Sequence, residues 1–476
     1  MKINRWTYEM NRLLPLAACA LVLGALVTPK IIGSQVNTKL NEIITSINVT
    51  QGYKLDITEL ESGWFSTQAK LKLSLDPEAM GDLQGIQSDS WEIDLDFDAS
   101  HGPILLGDTT EFGLVNWQVG VAADSLRDTL SWPENTALYQ MKGKLDLSSE
   151  LEYKDRIIPF TSIAGEMNQF DFSGYQGGGT YKEAVFSYQG EAERFSAKTG
   201  DGELEITKLT VDTQIESALE DLFDAIFYDS NGKLNIASIV LNEQSSGERL
   251  DVNDLYVTSQ TLLDKTTGAL DLAIVYGVKS IEMDDFVGED FALGLEINHL
   301  SQAFFGAYQS FVPSLASADS DQSSVLVMDF LKENLLSLVV AEPEIKVTSL
   351  RGTIAQGSFE SHLNASLVGI NTMPANIYDT AFWLSHTLLD GQIKGDKAVI
   401  ELAAKFFMLT QLKSNPQTQG MSLAQLEEIA DSQVPMLLQT IVYQGLIISD
   451  DNSYSTQLSF KDSVFKVNEQ AVPLPF

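Results

Sequence analysis

Hydrophobic and polar residues alternate with a period of two over several long stretches of this chain. In segments 69–75 and 91–98, nearly every second residue is charged or polar and the residues between them are mostly large and apolar. A strand with one apolar and one charged face is typical of an antiparallel sheet that is wetted on one side. A one-residue shift in strand pairing would expose the apolar row to water, so we expect the register to be strongly specified. Further alternating runs lie at 144–153, 202–213, 233–241 and 270–283.

Turn-forming residues punctuate these runs and predict the connections between strands. They occur at Asp76-Pro77, Asn231-Gly232 and Ser246-Gly247. The segment 174–179, which contains Gly177-Gly178-Gly179, lacks the lysine and the strand-to-helix setting of a phosphate-binding loop. We therefore predict a flexible turn there.

A helical spacing of apolar residues follows the N-terminal region. One apolar stripe lies within residues 31–49 and predicts an amphipathic helix over 34–50; it consists of Ile32, Val36, Leu40, Ile43, Ile44 and Ile47. The stripe needs a partner, which is either the body of the same chain or a second copy. The second alternative predicts a homodimer through residues 31–49.

The second half of the chain mixes both periods, and its segment 314–324, rich in Ser, Asp and Ala, predicts a linker or loop. Helices are predicted at 300–311, 324–339, 375–389, 397–412 and 422–443, and strands at 344–353, 358–367 and 454–468.

These patterns predict an α+β fold, with an N-terminal transmembrane helix followed by long antiparallel, one-side-wetted β-sheets with packing helices in two strand-plus-helix units. The predicted parts are a cytoplasmic stub and transmembrane anchor (1–33), the amphipathic helix (34–50), a strand-rich periplasmic unit (51–300) and a mixed helix/strand periplasmic unit (301–476).

The predicted anchor centres on a continuous apolar run at residues 13–27, which residues 28–33 extend toward the length of about 20 residues that a span needs. Lys2, Arg5 and Arg12 precede it and favour a cytoplasmic N-terminus. We therefore expect a single-pass inner-membrane protein, in contact with the bilayer through 13–33, with a periplasmic body. A cleaved signal peptide and a lipidated Cys19 are the alternatives. Thr28-Pro29-Lys30 is a poor cleavage site, and the apolar run before Cys19 is short for a signal.

Composition narrows the function. The formal charge of −36 repels phosphate backbones, so we exclude nucleic-acid binding, and it disfavours broad adsorption to anionic lipid headgroups. Cys19 is the one cysteine, so the exported body has no disulfide, thiolate nucleophile or cysteine metal site.

Few residues point to chemistry. Gly63 before Trp64 and Phe65 predicts a tight corner whose aromatic pair plugs the edge of a core, with a ligand-facing pair as the alternative. His101-Gly102-Pro103 after a strand predicts a turn, with a general base as the alternative.

The other histidines, His299, His362 and His386, have no histidine at i+3 or i+4, and no HExxH or GxSxG motif occurs. We therefore predict no catalytic, cofactor-binding or metal-binding residue, and not an enzyme.

The order and spacing of several motifs resemble the YdgA family of Gram-negative bacteria, whose function is not established. They are the N-terminal anchor, Gly63-Trp64-Phe65-Ser66, His101-Gly102-Pro103, Pro343-Glu344-Ile345 and Phe460-Lys461-Asp462. Asn468-Glu469 departs from the family's Asn-Gly, which puts the turn type in doubt. The resemblance implies an inner-membrane, periplasm-facing protein without an assigned catalytic residue. It also implies a structural role for Gly63, Trp64, Phe65, Ser66, His101, Gly102 and Pro103.

The leading functional hypothesis is a non-enzymatic, membrane-anchored periplasmic protein that offers an apolar sheet face to lipid, another apolar ligand or a protein partner. The alternatives are a self-associating envelope scaffold and an envelope hydrolase with a dispersed site. The hydrolase would require some of His101, His299 or His362 to converge with an acidic residue.

Overall fold

The structure is a computed structural model that describes residues 6–49, 52–75, 91–106, 110–163, 169–218, 227–284, 286–316, 320–415, 418 and 420–473. The chain forms two compact units. The first contains residues 1–201 and 207–224, and the second contains residues 202–206 and 225–476.

The first unit begins with a long helix, α1 (Trp6–Val49), of 44 residues. At 1.5 Å per residue, it is about 66 Å long. None of the helices in the described parts of the chain combines the length and the apolar character that a membrane crossing needs.

An antiparallel sheet completes the first unit, with its strands in the order β1-β2-β3-β6-β8-β9-β12-β13. Three short strands continue it from β13 in the order β11-β10-β7, while β4 and β5 form a separate hairpin. The strands are β1 (Tyr53–Ser62), β2 (Ser66–Leu75), β3 (Trp91–His101), β4 (Ile104–Leu106), β5 (Thr110–Phe112), β6 (Val115–Val121), β7 (Leu130–Ser131), β8 (Tyr139–Leu145), β9 (Leu151–Ile157), β10 (Phe160–Ser162), β11 (Gln169–Phe172), β12 (Tyr175–Lys182) and β13 (Val185–Lys198), with a 3₁₀ helix at Asp124–Asp128.

The apolar stripe of α1 packs against the apolar face of β1–β3. Leu40 of the helix is buried with Leu55, Ala69 and Leu71 of the strands, and Ile44 and Ile47 pack around them. The C-terminal end of the helix is tied to β1 because Asn48 donates to the carbonyl of Leu55 (3.0 Å) and accepts from its amide (2.6 Å). The predicted helix and the predicted strand at 69–75 are therefore both confirmed, and each provides burial for the other.

Strand β14 (Gly202–Glu216) contributes residues to both units. The second unit continues as an antiparallel sheet in the order β15-β16-β17-β18-β19-β20-β21-β23-β24-β25, with β22 paired to β23. Its strands are β15 (Asp229–Glu243), β16 (Arg249–Asp264), β17 (Ala269–Met283), β18 (Phe286–Ser301), β19 (Glu344–Ile354), β20 (Gly357–Leu367), β21 (Thr387–Asp396), β22 (Ile448–Ser449), β23 (Ser453–Lys461), β24 (Val464–Val467) and β25 (Gln470–Ala471).

Helices interrupt this sheet at three connections. They are α2 (Gln302–Ala316), α3 (Ser320–Val339), α4 (Thr380–His386), α5 (Lys397–Ser414) and α6 (Leu423–Tyr443). The rings of Phe311 and Phe330 stack at 4.6 Å and join α2 to α3. Leu409 of α5 is buried with Leu426 and Ala430 of α6. The capping box between Ser422 and Gln425 starts α6 at the predicted position.

The α+β class and the antiparallel sheets are confirmed, as are the strands predicted at 202–213, 233–241 and 270–283 and the turn at Ser246-Gly247. Asp76-Pro77 lies outside the described residues, and the predicted linker at 314–324 is largely occupied by α2 and α3. Helix 375–389 was predicted too long, because α4 ends at His386 and residues 387–389 pair with β20.

Two glycine-based turn predictions are wrong. Gly177-Gly178-Gly179 lies inside β12 and Asn231-Gly232 lies inside β15. In β12, a Cβ atom on Gly177 would lie 2.2 Å from Tyr188 Oη and one on Gly179 would lie 1.7 Å from the carbonyl oxygen of Ser187, so residues without a side chain belong there. Segment 144–153, predicted as one strand, is instead the hairpin of β8 and β9.

Candidate functional site

The two motifs nearest the N-terminus meet at one end of the first sheet, where α1 crosses it. His101 ends β3, and its amide donates to the carbonyl of Phe65, at 2.7 Å. Its ring lies against Gly33 of α1, where a Cβ atom would be 2.4 Å from His101 Cε1. His101 and Thr67 are both fully buried, with exposures of 1% and 0%. Sequence segments around residues 33, 65 and 101 thus form one junction, which we call the α1 junction.

A relay of hydrogen bonds connects this junction. Thr67 Oγ1 donates to Asn37 Oδ1, at 3.3 Å, and lies 3.1 Å from His101 Nε2. Asn37 Nδ2 in turn donates to Ser62 Oγ, at 2.9 Å. A hydroxyl can donate only one hydrogen bond, and Thr67 donates its own to Asn37. His101 Nε2 must therefore donate to Thr67 Oγ1. This assigns the neutral tautomer with the proton on Nε2.

The assigned tautomer leaves His101 Nδ1 as an acceptor, and among the described residues it has no partner with hydrogen-bond geometry. The backbone of Trp64 favours the protonated ring and acts to raise the pKa of His101. Burial has the larger effect and lowers the pKa of His101 below its usual range, and the charge of Lys30 lowers it further. The ring is therefore neutral at pH 7.

The turn Gly63–Phe65 differs from its prediction. The Gly63 amide donates to the carbonyl of Ser66, at 2.8 Å, which closes the corner as expected. However, Trp64 and Phe65 are 50% and 43% exposed, so the prediction that they plug a core edge is wrong. The buried side chains beside this corner are instead those of Thr67 and His101.

Gly102 and Pro103 lead from the junction into the β4–β5 hairpin through a cis peptide bond. The Gly102 amide donates to the carbonyl of Leu114, at 2.7 Å, and a Cβ atom on Gly102 would lie 1.6 Å from the carbonyl oxygen of Gly113. Only glycine allows this approach. The predicted turn at His101-Gly102-Pro103 is confirmed.

The α1 junction is built for attachment rather than for reaction. A general base must reach its substrate, and the His101 ring is enclosed by α1 and β2. Sequence reasoning found His101 but missed its partners Gly33, Asn37 and Thr67. No local signal marks them, because they lie on a helix and a strand far apart in sequence.

A cluster of tyrosines lies elsewhere on the same sheet. Tyr188 donates to Asp155, at 3.0 Å, and also bonds Tyr175, while Tyr139 lies 3.5 Å from the same carboxylate. Burial raises the pKa of Tyr139 to about 12 and that of Tyr188 still further. These phenols stay protonated at neutral pH, so they act as hydrogen-bond donors and not as bases.

The second unit carries rows of apolar side chains across its sheet. Residues directly opposite each other on paired strands share a face, and alternate residues along β17 bring three such rows onto the same face. We call this surface the apolar face. Its rows are Leu272–Ile297–Ile345–Ala365–Leu389–Phe460, Ile274–Leu295–Val347–Leu363 and Leu234–Val257–Tyr276–Leu293–Leu350.

The apolar face is only partly covered. Phe460 is buried, whereas Tyr276, Ile345 and Leu350 are more than 40% exposed. Scattered exposed apolar residues are ordinary, but a contiguous set on one sheet face is a feature of binding surfaces.

Other candidate features of the second unit are polar. An open groove of about 520 Å³ is lined by Arg351, Lys394, Glu360 and Asp396, among others. His299 Nδ1 lies 3.1 Å from the carbonyl oxygen of Glu342, and its amide donates to Asp271. Within the described parts of the chain, no three His, Cys, Asp or Glu side chains lie close enough together to hold a metal ion.

The comparison with protein families matches residues 10–475 to a family described as "Bacterial protein of unknown function (DUF945)". No curated protein and no solved structure is significantly similar to the chain. Since the match covers nearly the entire length, this protein belongs to the bacterial family DUF945.

Proposed function

We propose that this protein is a non-enzymatic envelope protein, anchored in the inner membrane by residues 13–33, whose periplasmic body binds lipid acyl chains on the apolar face of the second unit. The observation that carries the proposal is the set of cross-strand apolar rows of which Tyr276, Ile345 and Leu350 stay largely exposed.

The anchor is supported by the apolar run at 13–27 and by the basic residues that precede it. The path of α1 agrees with this role. Its contacts with the sheet run from Asn48 at one end to Gly33 at the other, and the helix continues beyond Gly33 toward its N-terminus. The resemblance to the YdgA family supports the same cellular address.

Acyl-chain binding is supported by the chemistry of the apolar face. Its rows consist largely of Leu, Ile and Val, which offer dispersion contacts and no hydrogen-bond partners. Fully burying one such side chain is worth about 1.5–3 kcal/mol, so covering several of them would hold an apolar chain firmly. An acyl chain has no polar group to leave unsatisfied on such a surface.

The test is photo-crosslinking in living cells with the full-length protein. A benzophenone amino acid would replace Tyr276 or Ile345 on the apolar face. Leu262 is the matched control, since it is 50% exposed on the adjacent strand β16. Its neighbour Leu263 lies opposite Leu270, which shares the apolar face with Leu272, so Leu262 points to the other side of the sheet. We expect adducts with the mass of a phospholipid at positions 276 and 345, and severalfold fewer at 262.

Two outcomes would contradict the proposal. Equal lipid labelling at the three positions would mean that contact follows exposure alone. Adducts between two copies of the chain at 276 and 345, without lipid, would instead favour the self-associating scaffold.

A further inference from the structure

The end of the first unit that contains the α1 junction carries large apolar side chains on three separate turns. Trp64 and Phe65 lie between β1 and β2, Ile104 and Phe112 face each other in the β4–β5 hairpin, and Leu147 lies between β8 and β9. Each of these five is between 42% and 70% exposed. We call this set the turn rim.

The strand register places these turns at the same end of the sheet. His101 lies opposite Val115, Val115 opposite Leu145, and Leu145 opposite Leu151. The turns next to these residues therefore lie at the same end of the sheet. The 3₁₀ helix at Asp124–Asp128 follows the far end of β6, about 20 Å away at 3.3 Å per strand residue.

Helix α1 leaves the sheet at this same end. Gly33 contacts His101, and Asn37 and Leu40 follow along the strands away from the turns. The apolar run at residues 13–27 lies on the N-terminal side of this contact, and its last residue is Val27. Val27 lies six positions before Gly33 in the helix, which is about 9 Å along the axis.

We propose that the turn rim inserts into the headgroup layer of the bilayer that holds α1, so that the first unit sits on the membrane surface rather than standing off from it. This inference rests on the proposed anchor. The polar layer on each side of the hydrocarbon core is about 5–8 Å thick, so turns at the level of Gly33 would lie within or beside it.

The chemistry of the turn rim fits the membrane interface better than a protein partner. Tryptophan is favoured at headgroup depth because its ring is apolar while its N–H can meet water, and Phe and Leu side chains gain from burial at the boundary between headgroups and acyl chains. The described charges at this end include Lys30, Glu61, Asp146 and the ion pairs of Lys144 with Glu111 and of Lys182 with Glu150. Lys30 can reach lipid phosphate from the helix, and neither ion pair has a net charge.

The experiment uses the full-length protein with Cys19→Ser and one new cysteine, labelled with an environment-sensitive fluorophore and placed in phosphatidylcholine vesicles. Zwitterionic lipid avoids the repulsion that a net charge of −36 would meet at an anionic surface. The test positions are Trp64→Cys and Phe112→Cys. Leu126→Cys is the control, since Leu126 is also exposed but lies in the 3₁₀ helix at the far end of β6.

We expect quenching by lipids with a brominated acyl chain to be severalfold stronger at positions 64 and 112 than at 126, with a blue-shifted emission at the first two. Flotation of the vesicles reports on the anchor separately. A chain that floats but is quenched equally at all three positions refutes the insertion of the turn rim and leaves the anchor intact. A chain that does not float refutes the anchor, and this inference with it.

Discussion

Thr67 Oγ1 and His101 Nε2 lie 3.1 Å apart in the interior of the first unit, on the paired strands β2 and β3. Neither side chain reaches solvent, and the Thr67 hydroxyl donates a hydrogen bond to Asn37 of α1. The attachment of the N-terminal helix to the body therefore depends on buried polar groups as well as on the apolar core around Leu40.

Thr67→Val tests this relay, because valine keeps the shape of threonine and removes its hydroxyl. His101 and Asn37 would each lose a partner in a buried site, so we expect a loss of about 1–3 kcal/mol in the local opening free energy. Hydrogen exchange at the amides of β2 and β3 measures it. Thr161→Val, at an exposed position of β10 in the same unit, should change stability by less than about 0.5 kcal/mol. Equal effects of the two substitutions would show that the Thr67 hydroxyl is not important.

Gly33→Ala tests the close approach of α1 to His101. Alanine favours a helix by about 1 kcal/mol over glycine, but its Cβ would overlap the imidazole ring, and such overpacking costs about 1–3 kcal/mol. We expect the clash to dominate and the N-terminal part of the α1 contact to exchange faster. Ser34→Ala, exposed on the same helix, is the control.

The clash also predicts a coupling between Gly33 and His101. In a His101→Ala background the ring is gone, so the added methyl group should cost less, with a coupling energy of about 0.5–3 kcal/mol in a double-mutant cycle. Strictly additive effects would contradict the contact.

The pH dependence of stability follows from His101. Because burial lowers its pKa in the folded state, the unfolded state binds more protons once the pH falls below about 6.5. The contribution of His101 to stability is therefore complete above that pH and decreases as the pH falls toward the folded-state pKa. We expect the difference in urea midpoint between the wild type and His101→Gln to narrow from pH 7.5 to 5.5. A difference that is constant, or that widens in acid, would show that the folded pKa is not lowered.

The tyrosine cluster predicts a delayed alkaline titration. The phenol of free tyrosine ionises near pH 10. The phenols around Asp155 should ionise later, because the pKa of Tyr139 is raised to about 12. Their stabilising effect is complete below about pH 10 and is lost as the pH rises through the folded-state values. Absorbance at an ultraviolet wavelength specific to phenolate would show two phases.

Asp155→Asn separates the two causes of that delay. Burial is the first cause of the raised pKa at both Tyr139 and Tyr188. The charge of Asp155 is the second cause at Tyr139, whereas at Tyr188 the hydrogen bond with Tyr175 comes before Asp155, so the later phase should move only partly toward lower pH. A single phase in the wild type would contradict the buried cluster.

Much of the secondary structure was open to prediction from sequence. The alternation at 69–75 and 91–98 identified β2 and β3, and the helical spacing at 397–412 and 422–443 identified α5 and α6. Such patterns are legible because each strand or helix must bury one side, and the period of its apolar residues follows from its own geometry.

The wrong predictions came from residues whose conformation depends on distant neighbours. Glycines at 177–179 indicate a turn in isolation, but they pair with β9 and β13 as part of β12, where atoms of those two strands occupy the space that a Cβ atom would need. Trp64 and Phe65 are residue types typical of a core, yet the buried positions of the junction are occupied by Thr67 and His101.

The sequence by itself determined the apolar N-terminal run, the acidic body and the faces of most strands and helices, since these depend on residue type and local spacing alone. Only the tertiary structure decided that β1–β3 cover the stripe of α1, and that Gly33, Asn37, Thr67 and His101 come together. These contacts join residues up to 68 positions apart, and they arise from strand pairing and helix docking that a local pattern does not encode.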